Sequence, residues 1–347
     1  MTGPFVIDPF ELPLSQPLTT ECGTLEVRRG FVIQYQQGGV IGVGEATPLP
    51  GWTESLPTCR RRLERAAVAS SKGTSIDLSG WEETPAARHG IDLSRIDQRA
   101  RRKGHPLAEQ LAGGRPADVV KLHATIGRLA LPDAIDRANQ AVREGFQTVK
   151  CKVGRDETAV LERIRAIRDA VGEATELRVD ANRGWEPAEA TRILESLADL
   201  NVALVEEPLR DPTPARLDAL PTTSPDIFLD ETVSREAFSL KRWKASVDGI
   251  VLKPMAIGGI ERAYDLGSRA HRQELGVIVS NTIDAVVART AAIHLAAALP
   301  TERSAGLATR EWLLRDLAPD PIDYGSGRAY LPSSPGLGTL GPWEASG

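Results

Sequence analysis

From residue 119 onward the chain alternates short apolar runs with amphipathic stretches. The runs cover 119–123, 148–153, 177–180, 203–206, 227–230, 250–253 and 277–280. The polar residues near their ends are Lys152, Asp180, Glu206, Asp230, Lys253 and Ser280, which step by 28, 26, 24, 23 and 27 positions. Each step accommodates one strand, one helix and two short loops. Apolar strands alternating with helices predict a parallel sheet covered on both faces, and repeats of this size predict a barrel. A weaker eighth strand is expected at 304–308. An open doubly wound sheet has the same rhythm, but it requires a glycine-rich turn after its first strand. None follows 119–123.

Before residue 106 the pattern differs. Residues 31–35 and 40–43 flank Gln36-Gln37-Gly38-Gly39, a turn signal that predicts a hairpin within 24–46. Helical stretches are expected at 53–71 and 85–102, with a loop rich in Gly, Ser and Asp between them. From about residue 319 the chain is rich in Gly, Pro and Ser and holds no ninth unit. That tail is expected to pack back on the N-terminal region.

Composition narrows the partners. A chain of 347 residues with 41% apolar content can bury a large core. Its net charge of −5, from 47 acids and 42 bases, argues against nucleic acid or an anionic membrane surface. Cys22, Cys59 and Cys151 form no CxxC pair, so neither a disulfide framework nor a zinc site is indicated. No secretory signal and no apolar run of about 20 residues is present, which predicts a cytoplasmic location. Whether the chain forms a homo-oligomer is left open.

Charge type is more informative than net charge. Only 8 of the 42 basic residues are lysines, and two of them, Lys150 and Lys152, stand two apart on one strand. Lysine can give up a proton where guanidinium cannot. Barrel chemistry sits at the C-terminal strand ends, and those ends carry Lys152, Asp180, Glu206, Asp230 and Lys253. Side chains alternate along a strand, so Lys150 and Lys152 share a face, as do Arg178, Asp180 and Asn182, while Glu206 points away from Glu207. Three carboxylates then converge between lysines on either flank. Such a set repels itself unless a cation joins it, and all-oxygen ligands favour Mg²⁺. A metal facing a developing oxyanion beside a lysine base suggests proton abstraction alpha to a carboxylate. Taken singly, Asp180 and Asp230 also read as helix N-caps, and Lys253-Pro254 as a strand closed by proline. Five charged residues in order at this spacing favour the shared site. The histidines read as structural, including His123 on the first strand.

The ordered motifs Lys-x-Lys, Val-Asp-Ala-Asn (179–182), Val-Glu-Glu-Pro (205–208), Leu-Asp-Glu (229–231) and Leu-Lys-Pro (252–254) resemble the enolase superfamily, in its muconate lactonizing enzyme subgroup. The resemblance implies an α/β fold, a (β/α)₇β TIM-like barrel over 106–318 with an α+β capping domain over 1–105 and the 319–347 tail against it. It also implies one Mg²⁺, with Mn²⁺ as an alternative, held by Asp180, Glu206 and Asp230. Lys152 would be the base and Lys253 the group on the opposite side of a small-molecule carboxylate substrate, with Lys150 as the neighbour of Lys152 and Arg178 and Asn182 on the same face as Asp180.

Within the subgroup, residues 42–51 and 177–185 look most like the o-succinylbenzoate synthase family of menaquinone biosynthesis. That family is a hydro-lyase: it carries out the syn dehydration of 2-succinyl-6-hydroxy-2,4-cyclohexadiene-1-carboxylate to 2-succinylbenzoate. On this resemblance Ser280, Asn281 and Thr282 help hold substrate, and the amides of Gly258 and Gly259 meet a carboxylate. N-succinylamino acid racemase shares the scaffold, and muconate cycloisomerase is a further alternative. Dipeptide epimerases typically show an Asp-x-Asp at the eighth strand for the substrate ammonium, and residues 306–311 lack it. Outside the subgroup, a Schiff-base aldolase using Lys253 has no need of three carboxylates. A non-catalytic barrel has no need of the intact set.

Overall fold

The computed structural model describes residues 5–20, 23–222, 225–235 and 238–338. An antiparallel sheet opens the chain, formed by β1 (Phe5–Thr20), β2 (Gly23–Gln37) and β3 (Val40–Ala46) in that order. The β2–β3 turn is Gly38-Gly39, with φ of 62° and 77°, the left-handed conformation a two-residue hairpin turn needs. The sequence predicts this hairpin but not β1. Pro9, Pro13 and Pro17 obscure its alternation, and the strand tolerates them because it lies at the sheet edge.

Two helices cover this sheet, α1 (Leu56–Ser71) and α2 (Pro85–Lys103), followed by α3 (Leu107–Ala112). Ser55 caps α1 by accepting from Thr58 N, and Gly104, in the left-handed conformation, ends α2. Helix α2 lies directly on β3. A Cβ at Gly44 would overlap Gly90 O, and one at Gly42 would overlap Ser94 O, so only glycine permits this approach.

Next come β4 (Val119–Lys121) and β5 (Ala124–Ile126), then α4 (Leu131–Arg143), β6 (Thr148–Lys152), α5 (Glu157–Val171), β7 (Glu176–Asp180), α6 (Pro187–Asp199) and β8 (Val202–Glu206). The series continues with α7 (Pro214–Leu217), β9 (Asp226–Leu229), α8 (Leu240–Trp243), β10 (Gly249–Leu252), α9 (Pro254–Ile257), α10 (Ile260–His271), β11 (Gly276–Val279) and α11 (Val286–Ala298). Strands β5 to β11 form one seven-stranded parallel sheet in sequence order. Its edges are joined through residues 305 and 306, where Ala305 bridges Leu122 and Gly306 bridges Ser280. The eighth strand is reduced to these bridges. The two shortest sequence steps reflect α7 and α8, each a single turn.

The run at 119–123 is not the first strand of the parallel sheet, which is β5. Strand β4 instead pairs antiparallel with β13 (Arg328–Tyr330), which pairs with β12 (Asp323–Gly325). The tail thus adds to the sheet's entry point. Further on, Gly336 O accepts from Leu107 N (2.8 Å) and Leu337 N donates to Asp97 Oδ1 (2.8 Å) on α2. Residues 339–347 of the tail lie outside the described residues.

Alternation along the parallel strands separates two environments. One set, including Val149, Cys151, Leu177, Val179, Val205, Leu229, Ile250 and Leu252, packs with the helices in the main core. The other set faces inward. Leu204, Phe228, Val251 and Ile278 form a separate apolar cluster there, and two residues further along their strands stand Glu206, Asp230, Lys253 and Ser280. The apolar layer is the floor on which the polar layer rests.

Candidate active site

Register brings the polar layer together. Lys152 pairs with Asp180 across β6–β7 and Asp180 with Glu206 across β7–β8, while Asp230 and Lys253 follow β9 and β10 directly. Asp180, Glu206 and Asp230 are all buried, each offering an oxygen within 4.8 Å of the others. Lys150 Nζ reaches Glu206 Oε2 (2.7 Å) and Asp180 Oδ2 (3.2 Å). Lys152 Nζ stands 3.8 Å from Asp180 Oδ2, and Lys253 Nζ 2.6 Å from Asp230 Oδ2. Lys152 and Lys253 thus attach to the two outer carboxylates of the triad, and Lys150 bridges Asp180 and the middle one, Glu206.

The electrostatics follow from burial and charge. Burial alone would raise the pKa of Asp180, but Lys150, Lys152 and Lys253 overcome it and hold that carboxyl well below its usual range. Glu206 is raised, because burial and the neighbouring acids outweigh Lys150. Burial pulls the Lys150 ammonium down, yet the carboxylates of Glu206, Asp180 and Asp230 together raise it, so it stays a cation. Glu206 Oε1 and Asp230 Oδ1 are buried with no hydrogen-bond partner among the described residues. Buried anionic oxygens without donors are strongly disfavoured unless a cation meets them. An all-oxygen donor set with orphan atoms fits a hard divalent ion, and Asp180, Glu206 and Asp230 would hold Mg²⁺.

The paired acids at 206–207 divide their work. Glu206 faces the site. Glu207, with φ of 43°, accepts from Asp230 N (2.6 Å), Thr232 N (3.3 Å) and the Thr232 hydroxyl. It therefore fixes the backbone from which Asp230 projects. Asn182, also in the left-handed region, donates from its backbone to Asp180 Oδ1 (3.0 Å) and from Nδ2 to Glu231 Oε1 (3.0 Å). Glu231 is pushed up to about 8, first by burial and then by Asp230 and Asp180.

Other expected contributors lie differently. Arg178 turns back toward the start of its strand, bonding Glu176 Oε1 (2.6 Å), Ser304 O (2.8 Å) and His123 Nδ1 (3.2 Å). It braces the barrel interior instead of joining the triad. The amides of Gly258 and Gly259 both donate to Pro254 O (2.9 and 3.0 Å) within the α9 turn, so the carboxylate-holding role expected of Gly258 is already taken up. Ser280 Oγ donates to Gly306 O (3.2 Å), and Asn281 Nδ2 to Thr309 Oγ1 (2.8 Å). Thr282 Oγ1 bonds Asp284 Oδ1 (2.6 Å).

Sequence reasoning sets the capping segment beside the site by resemblance but singles out neither Trp52 nor Arg28 as a contributor. The Trp52 ring lies against Lys253, with Nζ 3.7 Å from its centroid. Arg28, fully buried, donates to Thr47 O (2.8 Å), Pro48 O (3.1 Å) and Ile283 O (3.1 Å), joining the segment that carries Trp52 to the loop after β11. The only local signal was an aromatic in a Gly/Pro turn, which reads equally well as packing.

The comparisons agree with this geometry. The L-Ala-D/L-Glu epimerase of Bacillus subtilis is 29% identical, over 95% of this chain and 94% of its own. The N-succinyl-L-Arg/Lys racemase of Bacillus cereus is 26% identical, over 82% and 81%. The solved structure of the dipeptide epimerase from Enterococcus faecalis, complexed with Mg and the dipeptide L-Leu-L-Tyr, superposes with a TM-score of 0.85. It is 26% identical and covers 98% of this chain and 99% of its own. These relatives are isomerases, which overturns the expectation of a hydro-lyase of the o-succinylbenzoate synthase type. The motifs at 42–51 and 177–185 therefore do not identify the reaction. Residues 133–340, which carry all three acids and both flanking lysines, match the family described as enolase C-terminal domain-like, and the chain belongs to that family, within the enolase superfamily.

Proposed function

We propose that the protein is a Mg²⁺-dependent racemase or epimerase that inverts the carbon alpha to a carboxylate in an amino-acid derivative. When bound, the metal supplies positive charge to the substrate carboxylate as electron density moves onto it. Lys152 and Lys253 approach from opposite flanks. One takes the alpha proton and the other delivers a proton to the opposite face, which inverts the centre. In a syn dehydration a single lysine would suffice and Lys253 would serve only as a cation. In the inversion both are acid–base groups. The observation that carries this reading is the pairing of each lysine with a different outer carboxylate of the triad, and the isomerase relatives support it.

Among amino-acid derivatives, the end of the eighth strand favours N-acylated ones. Residues 305–309 read Ala-Gly-Leu-Ala-Thr, and Thr309 Oγ1 is engaged by Asn281. A substrate ammonium would find no carboxylate there, whereas an amide nitrogen needs none. Mg²⁺-loaded enzyme in D₂O should exchange and invert N-succinylamino acids faster than L-Ala-L-Glu, followed by NMR and polarimetry. Lys152→Ala should retain its melting temperature and Mg²⁺ binding while losing inversion by roughly 10³-fold or more. Full inversion by that variant would sink the mechanism, and faster turnover of the dipeptide would sink the substrate class.

A further inference from the structure

The two lysines flanking the acid triad are not held alike. The Lys152 side chain is 37% exposed and, among the described residues, its one charged neighbour within salt-bridge distance is Asp180, at 3.8 Å. The Lys253 side chain is 11% exposed and has two partners, Asp230 at 2.6 Å and the face of Trp52 at 3.7 Å. An ammonium over an indole face is attracted by the negative ring quadrupole, more strongly as water is excluded.

The indole is delivered by a turn anchored on both sides. Trp52 N and Thr53 N both donate to Leu49 O (3.0 Å), and Leu49 N donates to Thr53 Oγ1 (2.9 Å). Upstream, Arg28 grips Thr47 O and Pro48 O. Downstream, Glu54 accepts from Ala86 N (3.0 Å) and Ala87 N (2.8 Å) at the first turn of α2. Trp52 is therefore a fixed wall against which a flexible four-carbon side chain comes to rest.

We propose that Trp52 is a positioning residue for Lys253 and so acts on one of the two proton transfers and not the other. The inference rests on the racemase reading above. On the face served by Lys253, abstraction breaks Cα–H and forms N–H, the electron pair passing into the substrate carboxylate. Return from an ammonium that has exchanged with D₂O forms Cα–D. Displacing an acid–base group by about 1 Å lowers such a step by about 10²-fold. Among the described residues the cation stacked on the indole is Lys253, so Lys152 keeps its geometry.

The test is alpha-proton exchange in D₂O, measured by NMR separately on each enantiomer of an N-succinylamino acid with the Mg²⁺-loaded full chain. Lys253→Ala first identifies the enantiomer that faces Lys253, as the one whose exchange it removes. Trp52→Leu, which keeps apolar bulk without a ring face, should lower exchange of that enantiomer about tenfold or more and the other by less than about threefold. Trp52→Phe, which keeps a ring face, should restore the ratio. Equal loss on both faces would mean that Trp52 serves the fold or the substrate directly and would overturn the inference, as would no loss on either face. Wild-type enzyme that exchanges neither enantiomer, nor either form of the dipeptide, would remove the racemase reading and this inference with it.

Discussion

Lys150 is the residue that lets three buried acids coexist. It reaches two of them and stays charged because their combined field outweighs its own burial. Removing one partner of a buried ion pair leaves the other uncompensated, a loss of about 3–5 kcal/mol. Lys150→Met should therefore lower stability by about that much without Mg²⁺, and added Mg²⁺ should raise its melting temperature more than that of the wild type. Equal Mg²⁺ shifts in melts of the two proteins would refute this role. The triad, Lys152 and Lys253 are readable in the sequence because each stands at a strand end, and Lys150 because period-two alternation puts it on the face of Lys152. Arg178 obeys the same alternation yet turns toward Glu176, because a long side chain is not placed by its Cβ alone. Trp52 and Arg28 act across the molecule, and no local periodicity encodes their partners.

Helix α2 on β3 is the element pair that sets the cap against the barrel. The contact exists because Gly42 and Gly44 leave nothing between the two backbones. Gly44→Ala would force them apart, and overpacking of this kind costs about 1–3 kcal/mol. The helix carries Asp92, whose Oδ2 accepts from Ile260 N (2.7 Å) and Glu261 N (3.2 Å) at the start of α10. The expected outcome of Gly44→Ala is thus a lower urea midpoint together with weaker substrate saturation, since the Trp52 segment follows β3. A variant with an unchanged midpoint would show that α2 can shift freely. The hairpin and both helices are legible from turn residues and periodicity. The edge strand β1 is not, because its prolines mask it, and β4 reads as a barrel strand because its true partner lies some 200 residues later, in the tail.

At the scale of the whole molecule, the cap and the barrel meet through buried carboxylates. Glu45, on β3, accepts from Ala285 N (2.9 Å) and Ala288 N (2.8 Å) at the start of α11. It is pushed up to about 7, first by burial and then by Asp284, and Asp92 is pushed up to about 6, first by burial and then by Glu261. Both raised values mean that the folded protein binds these protons more tightly than the unfolded chain does. Their contribution to stability therefore declines as pH rises from about 4 to about 7, by at most about 1.4 kcal/mol per pH unit for each group. Glu45→Gln keeps one acceptor and turns an NH₂ toward the other amide, leaving a buried donor unpaired at about 1–3 kcal/mol. It should be less stable than the wild type at pH 5, and the gap should narrow toward pH 7, read from urea midpoints. A gap that widens with pH would contradict the assignment.

The same two carboxylates bear on how such a chain can be recombined. Helices α10 and α11 lie within the barrel segment, yet two amides at the start of each are satisfied by an acid from the cap. A barrel grafted onto a foreign cap would present two helix starts with bare donors. A chimera between this chain and a relative would need acids at the positions of Glu45 and Asp92 to keep both helix starts satisfied.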